Sequence, residues 1–418
     1  MKLTVIGGGS TYTPELVDGI ARTRAELPVS ELVLADPDTG RLALVGGLAA
    51  RMLARAGHPA AVRTTTDLDE AVTDATVVLL QLRVGGQAAR HVDETLPLAC
   101  GCVGQETTGA GGLAKALRTV PVVLDIADRI TRRSPDAWII DFTNPVGIVT
   151  RALLDAGHRA TGLCNVAIGV QRRAAALLSV PPEAVTLGHA GLNHLTWVRS
   201  VEVDGRDVLP RLLDEHPAEL AGPAGMPAEF LRALGAVPSY YLRYYYEHDR
   251  VVEEQRGAPS RAEQVAALER DLLASYADPA LDTKPERLRE RGGAFYSEAA
   301  VQLAASLLTG RGDAQVVNLR NEGTLPFLDD RAVIEVPARI TAAGPEPLPV
   351  PAFPPLLAGL TAHVSAYEEL ALDAALRGGV DRVAAALLAH PLVGQAGLAD
   401  RLARELVAAN RAHLPWAA

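Results

Sequence analysis

Hydrophobic and polar positions along this chain fall into two rhythms. Short apolar-rich runs at residues 3–6, 31–35, 74–80 and 137–141 read as strands. The stretches between them carry helical periodicity, beginning with residues 14–24. Strand and helix alternate, which predicts an α/β fold built on a doubly wound parallel sheet. A second, α+β portion follows, with strand patterns at 184–187, 195–203, 315–319 and 332–340 among long helical stretches. The expected boundaries are 1–165 and 166–418. Residues 342–355 hold six prolines and read as a surface connector. Residues 356–376 and 380–410 then read as amphipathic helices with alanine-rich faces.

Composition narrows the class. With 418 residues, 48% of them hydrophobic, and a mean hydropathy of +0.12, this is a packed globular chain too long for one simple core. Charged residues interrupt every apolar run before it reaches membrane-spanning length. A net charge of −10 argues against a general nucleic-acid binder. The N-terminus enters a strand at once, without the h-region of a signal peptide, and three cysteines make no disulfide framework. A cytoplasmic protein with reduced thiols is expected, with no membrane or nucleic-acid partner. A homodimer or homotetramer, assembled through the second domain, is expected as well.

Candidate chemistry begins where the first strand runs into Gly7-Gly8-Gly9-Ser10 and then a helix. Such a corner brings backbone and a helix N-terminus up to a phosphate. The next strand ends at Asp36, whose carboxylate suits the ribose hydroxyls of NAD rather than a 2′-phosphate. Tyr12 stands where the motif's third glycine is expected. Two loops at carboxyl ends of strands, 81–90 and 141–145, are rich in functional groups, and open α/β sheets bind ligands there. Between them lies a glycine-rich stretch, 104–112, expected to be mobile enough to fold over a ligand. Cys164 and His194 pair a thiol with an imidazole, a donor set that suits a transition metal and leaves coordination positions open. They match no short metal-motif spacing. Cys100 and Cys102 have no obvious partner and read as ordinary thiols.

Taken in order, several segments resemble glycoside hydrolase family 4. They are Val5-Ile6-Gly7-Gly8-Gly9-Ser10-Thr11-Tyr12-Thr13-Pro14, Arg83-Val84-Gly85-Gly86, Gly104-Gln105-Glu106-Thr107, Asp141-Phe142-Thr143-Asn144-Pro145, Gly162-Leu163-Cys164-Asn165 and Gly191-Leu192-Asn193-His194. Tyr241-Leu242-Arg243-Tyr244-Tyr245, Arg261-Ala262-Glu263, Arg291-Gly292-Gly293 and Asn318-Leu319-Arg320-Asn321 extend the likeness across nearly the whole chain. The 6-phospho-β-glucosidases are the most similar subgroup. Ala167 departs from the proline usual there.

The resemblance implies a lactate/malate dehydrogenase-like architecture and an oxidation–elimination–addition–reduction route that departs from the two-carboxylate mechanism. NAD would take a hydride from sugar carbon 3. A divalent metal on Cys164 and His194 would then stabilise the enolate left when the carbon 2 proton is removed. Water would add after the glycosidic oxygen leaves, and the hydride would return. Tyr241 matches the base, Glu106 the acidic position that raises its basicity, and Asn165 a position next to the metal cysteine. Members acting on α-linked phosphosugars often carry aspartate there, and α-galactosidases and α-glucuronidases histidine, so Asn165 fits the β-acting subgroup. Gly7, Gly8, Gly9, Ser10, Asp36 and Arg83 are the cofactor-binding candidates. Arg90, Asn144, Asn165 and Arg261 match substrate-binding positions, and two arginines suit a phosphate. Softness favours zinc on a thiolate, whereas the resemblance implies manganese. The alternatives are an NAD-dependent dehydrogenase of the lactate/malate type, an NAD-dependent sugar sensor, or a family 4 glycosidase acting on an α-linked or non-phosphorylated sugar.

Overall fold

Strand β1 (Lys2–Ile6) lies inside a parallel sheet made with β2 (Glu31–Ala35), β3 (Ala61–Thr65), β4 (Val77–Leu80), β5 (Trp138–Asp141) and β6 (Ala160–Gly162), in a computed structural model that describes residues 1–292 and 295–417. Gly293 of the Arg291-Gly292-Gly293 segment falls outside the described residues. The order is β3-β2-β1-β4-β5-β6, every pair parallel, as the alternation of strands and helices predicts. Val77, Val78, Leu79 and Leu80 are all buried, because helices cover both faces. Strand order reverses between β1 and β4, which places a ligand crevice outside their carboxyl ends.

The later strands are β7 (Val185–Leu192), β8 (Leu195–Val203), β9 (Arg206–Asp207), β10 (Val237–Pro238), β11 (Ala314–Arg320), β12 (Val333–Thr341) and β13 (Gly344–Pro347). They continue the same sheet as β6-β11-β12-β7-β8-β10, all antiparallel. A row of register partners, Gly162, Asn318, Glu335 and Gly191, crosses from β6 to β7.

Three expectations need correction. Part of the proline-rich connector is strand: β13 pairs with β12 from Thr341↔Gly344 to Ala338↔Pro347. Prolines survive there because an edge strand needs only alternate N–H donors. The helical stretch 380–410 breaks into Val380–Ala389 and Ala396–Ala409, since Pro391 offers no N–H and Gly394 turns at φ +56°. The glycine-rich 104–112 is not a mobile flap. It opens the 25-residue helix Gly109–Arg133, and a Cβ on Gly111 would come within 2.3 Å of the Asp93 and Gln105 carbonyl oxygens. Close packing, rather than freedom, explains glycine at that position.

Candidate active site

A cavity of about 1560 Å³ runs along the carboxyl ends of the parallel strands. That is larger than a pocket for one small ligand, which typically occupies roughly 300–1,000 Å³. At one end lies the glycine corner. The N–H groups of Gly7 and Gly8 both reach the Ala35 carbonyl at 2.9 Å, and Gly7 takes φ +86°. A Cβ there would stand 2.9 Å from the Gln81 carbonyl oxygen, so glycine is required. Ser10 lines the cavity beside it. Asp36 accepts from Gly9 N at 3.2 Å and Asp38 N at 3.0 Å, and burial pushes its carboxyl up against both bonds. Arg41 donates to the Gly9 carbonyl at 2.9 Å. The ring of Tyr12 meets Tyr296 edge-on at 6.3 Å.

Behind the lining residues Asn165 and Tyr241, Cys164 follows β6 and His194 occupies the two-residue turn between β7 and β8. Both are buried, at 4% and 5% exposure. His194 adopts φ +64°, a region that costs a non-glycine residue roughly 1–2 kcal/mol. The Thr107 hydroxyl donates to Gln105 Oε1 at 2.8 Å, so its lone pair accepts from His194 Nδ1 at 3.1 Å. That relay assigns the proton to Nδ1 and leaves the ring's lone pair on Nε2. Burial lowers His194 to about 4 and holds it neutral, as a metal ligand must be. Burial and Glu335 push the Cys164 thiol up, while Tyr296 and Asn193 hydrogen-bond to it. Among the described residues no cluster of three or more His, Cys, Asp or Glu could hold a metal ion. A buried thiol and a neutral, oriented imidazole have donor chemistry that fits a divalent transition metal.

Tyr241 lies flat on His194, ring centroids 3.6 Å apart and planes 13° from parallel. Burial raises its hydroxyl well above the usual tyrosine value, and Cys164, Tyr244 and Glu106 add to the shift. Of the neighbouring tyrosines, Tyr240 meets Tyr241 edge-on at 5.7 Å.

Glu106 is a hub of ion pairs. Arg83 holds it in a two-pronged contact, Lys115 reaches it at 2.6 Å and Arg90 at 3.2 Å. Burial works to raise the carboxyl, but the cations hold it well below the usual range. Burial and Arg83 push Lys115 down to about 7 against the attraction of Glu106. Arg83, expected beside the cofactor, is thus committed to Glu106. Arg90 also binds Glu94 at 2.7 Å, whose other oxygen accepts from Ala262 N. Arg261, the other expected phosphate ligand, is exposed and donates to the Glu290 carbonyl at 2.8 Å. Arg291 lines the same cavity and binds Glu269 at 3.2 Å. Asn144 sits in a turn shaped by Asp141, which accepts from Thr143 N at 2.8 Å. Its Oδ1 is buried in the cavity wall with no protein partner, as a ligand-binding group would be. Asn165 lines the same wall at the head of the helix Val166–Leu178. Sequence reasoning missed Lys115, Glu269, Tyr296 and Glu335. A buried lysine on a helix has no motif, and the other three reach the site from distant segments.

Comparison with known proteins follows the same lines. A model of the family 4 glycosyl hydrolases matches residues 2–180, and a model of that family's C-terminal domain matches 189–393. A probable 6-phospho-β-glucosidase of Bacillus subtilis (strain 168) is 39% identical over 99% of this chain and 97% of its own. A solved structure of the 6-phospho-β-glucosidase of Thermotoga maritima with manganese, NAD⁺ and glucose-6-phosphate superposes with a TM-score of 0.92, at 32% identity over 99% of each chain. A malate dehydrogenase of Salinibacter ruber, at 18% identity and a TM-score of 0.55, shares the fold alone; it covers 90% of this chain and 98% of its own.

Proposed function

This chain belongs to family 4 of the glycosyl hydrolases, and from that premise we propose that it hydrolyses 6-phospho-β-glucosides with NAD and a divalent metal as cofactors. The observation that carries the reading is one cavity lined by Gly7, Asp36, Asn165 and Tyr241, with Cys164 next to Asn165 in the chain and His194 stacked against Tyr241. A dehydrogenase of the lactate/malate type needs the corner but relies on a His/Asp couple rather than a cysteine-bound cation.

Gly7, Gly8, Gly9, Ser10 and Asp36 would hold NAD, which supplies a reversible oxidation of the sugar. Cys164 and His194 would hold the metal, preferably manganese, which supplies Lewis acidity towards the sugar's oxygens. The work left to side chains is proton transfer and orientation. Tyr241 is the base for the proton on sugar carbon 2. An ordinary tyrosine holds its proton too tightly to lose it at neutral pH. The charges of Cys164 and Glu106 raise it further, so its phenolate, once formed, is a strong base. Glu106 acts at a distance, because its oxygens are occupied by Arg83, Arg90 and Lys115. Arg90, Asn144, Asn165 and Arg261 orient the phosphosugar. Asn165 cannot donate a proton as a carboxylic acid does, which favours β over α linkages. The division at about residue 165 separates the NAD-binding segment from the one that carries His194, Tyr241 and Arg261. Among the described residues no helix is long and apolar enough to cross a membrane, and we place the enzyme in the cytoplasm, as a homodimer or homotetramer.

Protein incubated with NAD⁺, Mn²⁺ and p-nitrophenyl 6-phospho-β-glucoside should release nitrophenolate with no build-up of NADH. Stoichiometric NADH without phenolate release would instead establish a dehydrogenase. Asp36→Ala should weaken NAD⁺ binding by roughly 1–2 kcal/mol, the loss of a hydrogen-bonded carboxylate. Unchanged affinity in a titration would remove Asp36 from the cofactor site.

A further inference from the structure

Glu335 lies on β12, 1% exposed, among polar side chains from three other strands or turns. Its Oε1 accepts from His189 Nε2 at 2.8 Å, and its Oε2 from Asn193 Nδ2 at 2.9 Å and Asn318 Nδ2 at 3.1 Å. In the sheet it stands level with Asn318 on one side and Gly191 on the other, and Asn318 stands level with Gly162. Gly162 precedes Cys164 by two residues and Gly191 precedes His194 by three. Asn193, bonded to the carboxylate, is the other residue of the turn that holds His194 at φ +64°.

No permanent cation faces this carboxylate. Three N–H donors converge on its two oxygens, its ion-pair partner among the described residues is His189, and no arginine or lysine is among its hydrogen-bond or ion-pair partners. A buried carboxylate without a permanent countercharge is costly. A thiolate at Cys164 and the Glu335 carboxylate together carry two negative charges, and His194 adds none. That sum matches one divalent ion.

We propose that Glu335 is the positioning residue of the metal site, fixing the Asn193–His194 turn and supplying the second negative charge that balances the dication. The inference rests on the assignment of Cys164 and His194 as the metal's ligands. Groups outside the coordination sphere commonly alter metal affinity 10–100-fold.

The test is Mn²⁺ binding to purified protein without substrate, read from the paramagnetic resonance signal of free Mn²⁺, beside NAD⁺ affinity by calorimetry. Glu335→Gln keeps the shape and can keep all three bonds, because His189 Nδ1 has no partner and the ring can change tautomer. It removes only the charge. The Mn²⁺ Kd should rise 10–100-fold, with NAD⁺ affinity unchanged; a merely structural residue would lower both. Glu335→Asp leaves the charge and every other side chain in place but draws the carboxylate back from Asn193, and should raise the Mn²⁺ Kd about threefold to tenfold, a smaller loss of the same kind. It also carries the test if Glu335→Gln is not recovered folded. Either folded variant binding Mn²⁺ as tightly as the wild type overturns the proposal. Cys164→Ala separates the two levels of argument: wild-type Mn²⁺ affinity in that variant would overturn the ligand assignment and this inference with it.

Discussion

Replacing Tyr241 by phenylalanine should lower kcat by roughly 10²–10⁴-fold, the usual contribution of a positioned acid or base, with NAD⁺ and Mn²⁺ affinities unchanged. The ring remains, so its stack on His194 at 3.6 Å and its edge contact with Tyr240 survive. What disappears is one oxygen, and with it the proposed means of taking the proton from sugar carbon 2. Turnover of the wild type in D₂O should place deuterium on that carbon, which a glycosidase passing through an oxocarbenium ion never touches. A shielded tyrosine could hand back the same proton, so the variant's rate is the deciding measurement. Wild-type kcat in a Tyr241→Phe protein loaded with both cofactors would refute the assignment.

The second large effect concerns the substrate's charge. The 6-phosphorylated glucoside should exceed its neutral counterpart in kcat/KM by roughly 10²–10⁴-fold. Each charge-assisted hydrogen bond contributes about 1.5–3 kcal/mol, and two arginines provide two such bonds or more. Arg90 reaches the cavity already braced by Glu94 and Glu106, so little of its freedom is lost when an anion arrives. Arg261 is exposed and bonded to a backbone carbonyl, so it must reorient. Most of the preference should therefore reside in Arg90, and comparing the variants Arg90→Ala and Arg261→Ala on both substrates would apportion it. Equal kcat/KM on the two substrates would take the phosphate out of the substrate's description and leave the family membership intact.

What could be read in advance follows physical lines. Four of the six parallel strands were legible because they are short, apolar and separated by helical periods, and the corner after β1 because Gly7 needs a backbone angle that glycine reaches without strain, whereas the edge strand β3, largely exposed, carries no apolar run. The ends of the chain's later elements were harder. Alternate prolines look like a linker until a neighbour such as β12 supplies the bonds for β13. A glycine-rich stretch looks mobile until the Asp93 and Gln105 carbonyls are seen against Gly111. In the site, Cys164 and His194 suggested metal donors by residue type but by no motif spacing, and Tyr241 was legible only through the likeness of its segment to the family. The partners that set their electrostatics were not legible. Lys115 carries no signature on its helix, and Glu335 becomes meaningful only when four strands align beside it.

The register row Gly162–Asn318–Glu335–Gly191 also bears on how the cleft must work. Many two-part enzymes grip a ligand by swinging one lobe about a linker. Here the two parts are joined within one sheet at the Gly162–Asn318 pair, so such a swing would have to part β6 from β11. The distance from the glycine corner to the Asn193–His194 turn is set once, at folding, like the span of a fixed jig. A cofactor and a sugar reacting together need that constancy, since a transfer between them tolerates little error in separation. Entry and exit are left to the rim, where the side chains of Arg261 and Tyr240 are exposed to solvent.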